Sequence, residues 1–262
     1  PKRLEEISKK YRINKAYSNY KELLEEDIDA VVIATPPKYH VEPTIQALKN
    51  NIHVLVEKPL AVNLKQAMKI FKAYKSSKSM VMVTFSLRYH KLCQDIAYFG
   101  SKLGLPQNMI HICYGKLPST PWIVDKSISG GMINENGVHV LYVFKWLAGD
   151  ISRVYAIMKT RGENRDIEDD ISIILEHKNK CITTYVQNWN SNISWRKWGF
   201  IFEKGSIVVD GYIDGTMHIK ANNSDLDLTI SYSGGVKDMY LNELKHFISS
   251  IRNKEKPLTS IE

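Results

Sequence analysis

A chain of 262 residues is long enough for one large domain or two ordinary ones, each with a buried core. A composition of 44% hydrophobic and 24% charged residues is that of a globular protein and excludes a disordered chain, and no apolar run approaches the roughly 20 residues of a spanning helix. The formal net charge of +8 comes from lysines spread along helical faces, which points away from nucleic acid and toward a solvated surface.

Cys93, Cys113 and Cys181 are odd in number and far apart, so they offer neither a disulfide framework nor a zinc spacing. No secretory pattern opens the chain, and the expectation is a cytoplasmic protein with no membrane partner.

In chain order, Leu4, Ile7, Ser8 and Tyr11 have helical spacing, and a second helix follows from Tyr20 to Glu26, capped by Ser18 or Asn19. Asp29 to Thr35 reads as a buried strand that Pro36-Pro37 ends. A helix from Val41 to Leu48, a strand to Val56, a helix from Asn63 with a capping-box pattern at Asn63 and Gln66, and a strand from Met80 to Phe85 follow. Strict alternation of this kind predicts a parallel sheet wound by helices.

From Arg88 the pattern changes. After a helix over Leu92 to Lys102, strands dominate: Met109–Leu117, Arg153–Arg161, Asp170–His177, Cys181–Trp189, Trp198–Glu203, Ile207–Asp210, Met217–Lys220 and Leu226–Ser231. Helices from Gly137 to Leu147 and from Met239 to Arg252 interrupt and close the series. The expected division is therefore an α/β unit over residues 1–87 and an α+β unit over 88–262 with a large antiparallel sheet. Helices suffice to cover only one face of that sheet, so the other is expected to pair copies of the chain into a homodimer or a tetramer.

Candidate chemistry starts where Val54-Leu55-Val56 runs into Glu57-Lys58-Pro59. A buried parallel strand delivers its last residues to the place where such sheets bind ligands. A lysine there borders a low-dielectric interior, where its amine becomes usable for proton transfer. Taken alone, the tripeptide is better explained as a solvated ion pair on a loop. Glu135 and His139 stand four apart at the expected helix start, so both project from one face. Gly137 between them admits a ligand or a neighbouring backbone, and Gly130-Gly131 upstream permits an unusual chain path. On spacing alone a solvated helix face explains that pair better, and a metal reading lacks a third ligand.

These stretches join others. Val31 to His40, His53 to Pro59, Val83 to Tyr89 and Gly130 to His139 follow in the order and spacing of the sugar and cyclitol dehydrogenases that include glucose-fructose oxidoreductase and inositol 2-dehydrogenase. The chain resembles that family over nearly its whole length. The resemblance implies a Rossmann-type sheet and a hydride transfer between NAD or NADP and a hydroxyl carbon of a sugar, sugar derivative or polyol. It makes Lys58 the proton-transfer group, supported by Glu135 and His139. Thr35, Pro36, His40, Glu57, Lys58 and Ser86 would line the dinucleotide. Trp122, Glu135 and His139 would meet the substrate, and Arg88 would either hold a sugar hydroxyl or anionic group or tie the domains together; core packing for Trp122 and a structural, helix-capping role for His40 are the other readings of those residues. The family has aspartate at 135, a further aspartate where this chain has Tyr142, and asparagine where it has Ser86. The first glycine is Gly100, so the family's glycine-rich turn is expected ahead of residue 1, and its last helix beyond residue 262. The other function compatible with the scaffold is a cofactor-sensing regulator that catalyses nothing.

Overall fold

The computed structural model describes residues 2–163, 165–223 and 225–262. Helices α1 (Lys2–Tyr11) and α2 (Tyr20–Leu23) precede a small parallel sheet in the order β1-β2-β3, formed by Ala30–Ile33, His53–Val56 and Val81–Val83. Ile33 pairs with Val56 and Val56 with Val83, so the three strands end level. Helices α3 (Val41–Lys49) and α4 (Leu64–Lys75) connect them, burying Ala47, Leu48 and Ile70. Asn19 and Asn63 cap α2 and α4 by accepting from Lys21 N and Gln66 N. The return half of the expected capping box is not made, because Gln66 Oε1 is buried without a partner.

The chain then passes through a 3-10 turn at Ser86–Tyr89 into α5 (Lys91–Leu103) and β4 (Pro106–Lys116). Short turns at Pro121–Val124 and α6 (Lys126–Ser129) lead to a π-helical turn at Ile133–Gly137, which runs directly into α7 (Val138–Ala148). Seven further strands follow: β5 (Ile151–Lys159), β6 (Asp170–His177), β7 (Ile182–Asn188), β8 (Asn190–Phe202), β9 (Gly205–Gly211), β10 (Gly215–Ala221) and β11 (Asp227–Tyr232). Helix α8 (Val236–Asn253) closes the series. The eight-stranded sheet has the order β11-β10-β9-β8-β4-β7-β6-β5 and is antiparallel except between β4 and β7. Its core is built on Trp198, Phe200, Phe144, Ile96 and Tyr185.

Two features depart from the reading of the sequence. Strand β8 begins at Asn190 rather than Trp198: Trp195 pairs with Tyr114 and, past a register irregularity, Asn190 with Lys116, while the polar Asn190, Ser191 and Asn192 hide the strand pattern. The helix expected from Gly137 is preceded by the π turn, which carries Glu135 and gives it a different presentation from that of an α-helical residue. The last residues return to the first sheet: Val83 N donates to Thr259 O, and Met82 bridges Ser260. The outer edge of the parallel sheet is thus completed by the far end of the chain.

Candidate active site

The three parallel strands deliver Thr35-Pro36, Glu57-Lys58 and Thr84-Phe85 side by side at their carboxyl ends. Hydrogen bonds fix this edge. Lys58 N donates to Thr84 Oγ1 at 2.9 Å, and Thr84 in turn donates to Glu57 Oε2 at 2.6 Å. Glu57 N donates to Ile33 O at 2.9 Å, tying β2 to β1. His40 is fully buried, with one ring nitrogen 2.9 Å from Pro59 O and the other 2.6 Å from Thr35 O. Both of its nitrogens are therefore spent on protein carbonyls, and it acts on the site through the placement of Thr35 and Pro59.

The second element of the site comes from the π turn. Lys58 Nζ donates to Glu135 O at 2.5 Å and to Glu135 Oε1 at 2.6 Å. Each of the two side chains is only 14% exposed, so the ion pair lies largely out of water. Burial raises the Glu135 pKa, Lys58 pulls it back, and Glu57 adds to the rise. One turn further on, burial and then the Lys58 charge push His139 down to about 3, leaving a neutral imidazole at physiological pH. Two polar atoms here are sealed from solvent and unpartnered: Glu135 Oε2 and His139 Nδ1. Buried polar atoms without partners call for an explanation, and a water, ion or bound group that supplies the partner is one.

The path of the chain into this turn is explained by its glycines. Gly131 has a φ of +100°, and a Cβ there would stand 2.6 Å from the Glu168 carboxylate. Glu168 Oε1 accepts from Ile133 N at 3.1 Å and so holds the turn from the loop before β6. Gly137 admits not a ligand but Tyr185 of β7, whose ring and hydroxyl would lie 3.1 and 3.2 Å from a Cβ. The Tyr185 hydroxyl donates to Gln187 Oε1, and Gln187 Nε2 donates to Asn136 Oδ1 at 2.8 Å. A buried polar chain from the large sheet therefore supports the residue next to Glu135.

Other candidates lie elsewhere. The Arg88 guanidinium is half-buried and sits 3.6 Å from the centre of the Trp146 ring, while Phe85 stacks on Tyr142 at 4.2 Å. Arg88 thus joins the 3-10 turn to α7. Tyr142 donates to Leu258 O at 3.3 Å. Trp122 is partly buried on the Pro121–Val124 turn and makes no ring contact among the described residues. Ser86 is buried, and its hydroxyl meets that of Tyr240 on α8. Thr35 also lines a cavity of about 480 Å³ that runs along β1 past Val32, Tyr39 and Leu24.

Reading the sequence missed Thr84, Asn136, Gln187 and Glu168, each of which meets the site through a partner distant in the chain and so left no local signal.

Residues 1–85 match the model of an oxidoreductase family with an NAD-binding Rossmann fold, and residues 104–208 match the GFO/IDH/MocA C-terminal domain. Myo-inositol 2-dehydrogenase of Thermotoga maritima is 24% identical over 272 residues, covering 99% of this chain and 80% of that protein. D-xylose 1-dehydrogenase (NADP(+)) 2 of Haloferax volcanii is 28% identical over 168 residues, covering 62% of this chain and 51% of that protein. Against some curated relatives, then, the chain aligns over only about half their length. Levoglucosan dehydrogenase in complex with NADH superposes with a TM-score of 0.89 at 20% identity, covering 100% of this chain and 81% of that one. With the Rossmann match, the C-terminal match and the shared fold in the family's own order, the chain belongs to the GFO/IDH/MocA oxidoreductases.

Proposed function

We propose that the protein is a nicotinamide-dependent dehydrogenase that transfers a hydride between NAD or NADP and a hydroxyl carbon of a sugar, sugar derivative or polyol. The observation that carries this reading is the Lys58 amine held by Glu135, with the neutral His139 beside it and one unpartnered buried polar atom on each of Glu135 and His139.

The residues present fit the nicotinamide end of a dinucleotide. Thr35, Pro36 and Glu57 stand at the carboxyl edge of the parallel sheet, with the buried Ser86 at the turn that follows β3. No glycine precedes Gly100, so the described residues supply no glycine-rich pyrophosphate turn, and the fit is confined to the nicotinamide end. When bound, the dinucleotide supplies the hydride acceptor or donor. The substrate hydroxyl is received by Lys58 Nζ and the His139 ring; Lys58 takes or returns its proton, and the Glu135 carboxylate fixes the amine and balances its charge. His139, being neutral, positions the hydroxyl without adding a second positive charge beside Lys58. Arg88 and Trp122 are assigned to the outer reach of the substrate, beyond the reacting hydroxyl.

Residues 1–87 serve as the nucleotide unit and 88–262 as the substrate and assembly unit in this reading. Tyr155, Ile157, Ile174, Ile182, Ile201 and Val208 share one open face of the large sheet and are each 43–68% exposed. That face pairs two copies into a homodimer, or dimers into a tetramer. Three free thiols suit the reducing cytoplasm. Reduction of NAD and of NADP by the full-length protein, followed with myo-inositol, levoglucosan and D-xylose, tests the reading. Turnover of at least one supports it, and no turnover of any sugar or polyol with either dinucleotide rejects it.

A further inference from the structure

The backbone of Lys58 stands just past the end of β2, where the ladder of the parallel sheet stops supporting it. Glu57 N still donates to Ile33 O, and Thr84 N to Val56 O, both at 2.9 Å. Beyond those bonds the Lys58 N–H has no carbonyl acceptor among the described residues. It is given to two side-chain oxygens, Thr84 Oγ1 at 2.9 Å and Glu57 Oε2 at 3.2 Å. Thr84 is buried, and the chain turns at it: Phe85 N donates to Val83 O at 2.8 Å, closing a three-residue turn. The turn brings the Thr84 hydroxyl to the end of the neighbouring strand.

The direction of these bonds is fixed by chemistry. A peptide N–H can only donate, so the Thr84 oxygen accepts from Lys58, and its single proton is left for Glu57 Oε2 at 2.6 Å. One chain of bonds therefore runs from Lys58 N through the hydroxyl to a carboxylate, the stronger kind of acceptor. The β-branched side chain is stiff at χ1, which holds the hydroxyl between its two partners. Lys58 is thus gripped at both ends: its N–H by Thr84, and its amine by the Glu135 carbonyl and carboxylate. The amine reaches Glu135 from a backbone that a side-chain hydroxyl holds in place.

We propose that Thr84 is a positioning residue for Lys58: its hydroxyl sets the backbone from which the amine reaches Glu135. Its catalytic meaning rests on the dehydrogenase reading, but its geometry does not.

The test is acetylation of the full-length protein by a succinimidyl ester, with the rate at Lys58 read by mass spectrometry against the exposed Lys65. Held by Glu135, the parent's Lys58 amine should react slowly. Thr84→Ser keeps both hydrogen bonds and should label Lys58 at the parental rate. Thr84→Val, matched in shape, and Thr84→Ala, which relieves any crowding, remove both bonds. In each, Lys58 should label roughly 10-fold faster relative to Lys65, the size of one lost hydrogen bond to a charged group. With the substrate turned over, kcat should fall by a similar factor while KM for the dinucleotide is kept, and Thr84→Ser should stay near the parent. Parental labelling of Lys58 in folded Thr84→Val or Thr84→Ala overturns the proposal, as does faster labelling with unchanged kcat. A parent that turns over no sugar or polyol removes the dehydrogenase reading, and the labelling still decides whether Thr84 positions the amine.

Discussion

Lys58 and Glu135 lie 77 residues apart in the chain, yet the lysine amine is bonded at once to the backbone oxygen and the carboxylate of the glutamate. One residue ends a strand of the parallel sheet; the other sits in the π turn that enters α7. The contact joins the two halves of the chain at the point where proton transfer is proposed. Glu135→Gln keeps the backbone contact but removes the charge, a loss of about 1.5–3 kcal/mol for a hydrogen bond to a charged group. Turnover with the best polyol substrate should fall roughly 10–100-fold. An unchanged kcat would show that the carboxylate charge is not used.

Acidification should destabilise the fold through its buried imidazoles. His111, packed among Tyr185, Trp198 and Tyr212, and His139 are both held at about 3, against an ordinary value of 6.5. The unfolded chain takes up these protons as pH falls through 6.5, and the folded chain does not until about 3. Stability is therefore full above that window and is lost on descending through it, by about 1.4 kcal/mol per pH unit for each imidazole. His111→Phe removes one titration and fills similar space. It should flatten the fall in Tm as the pH is lowered from neutrality to mild acid; an identical slope would count against the argument.

Gly131→Ala tests the chain path into the π turn. The residue has a φ of +100°, and the added carbon would press on the Glu168 carboxylate that holds Ile133. A cost of about 1–3 kcal/mol is expected, seen as a lower Tm. Activity should fall with it, because the displaced turn carries Glu135. Full retention of both would mean that Glu168 is not needed where it stands.

Much of this was legible in the chain itself. Val54 to Val56 announced a doubly buried strand, and the acid and base after it were correctly expected at a carboxyl edge because a parallel strand has no other place to put them. Glu135 was legible as a candidate, but the π turn that aims it was not, since nothing in Ile133-Asn134-Glu135-Asn136-Gly137 distinguishes a π turn from an α turn. The reason for Gly137 lay in Tyr185, a residue on a distant strand, and no local pattern reports such a partner. His40 could be read either as a ligand residue or as a structural tie until both carbonyl partners were in view. The start of β8 was hidden because strand pairing there is made by backbone, while Asn190, Ser191 and Asn192 present polar side chains.

Assembly is tested through the open face of the large sheet. Tyr155 pairs across from Ile174, and the same row runs on through Thr184, Ile110 and Gly199 to Val208, so one face carries exposed apolar side chains on several strands. Light scattering at micromolar concentration should give twice or four times the monomer mass, and Ile174→Lys should shift it toward the monomer. A parent that scatters as a monomer contradicts the proposed interface.

The central claim is that the Lys58 amine moves the substrate proton, and the most direct measurement is turnover of the Lys58→Ala full-length protein alongside its dinucleotide affinity. The account predicts a fall in kcat of roughly 10²–10⁴-fold, the usual size of a lost general acid or base, with dinucleotide affinity retained. Near-parental oxidation of every sugar or polyol that the parent accepts would contradict it.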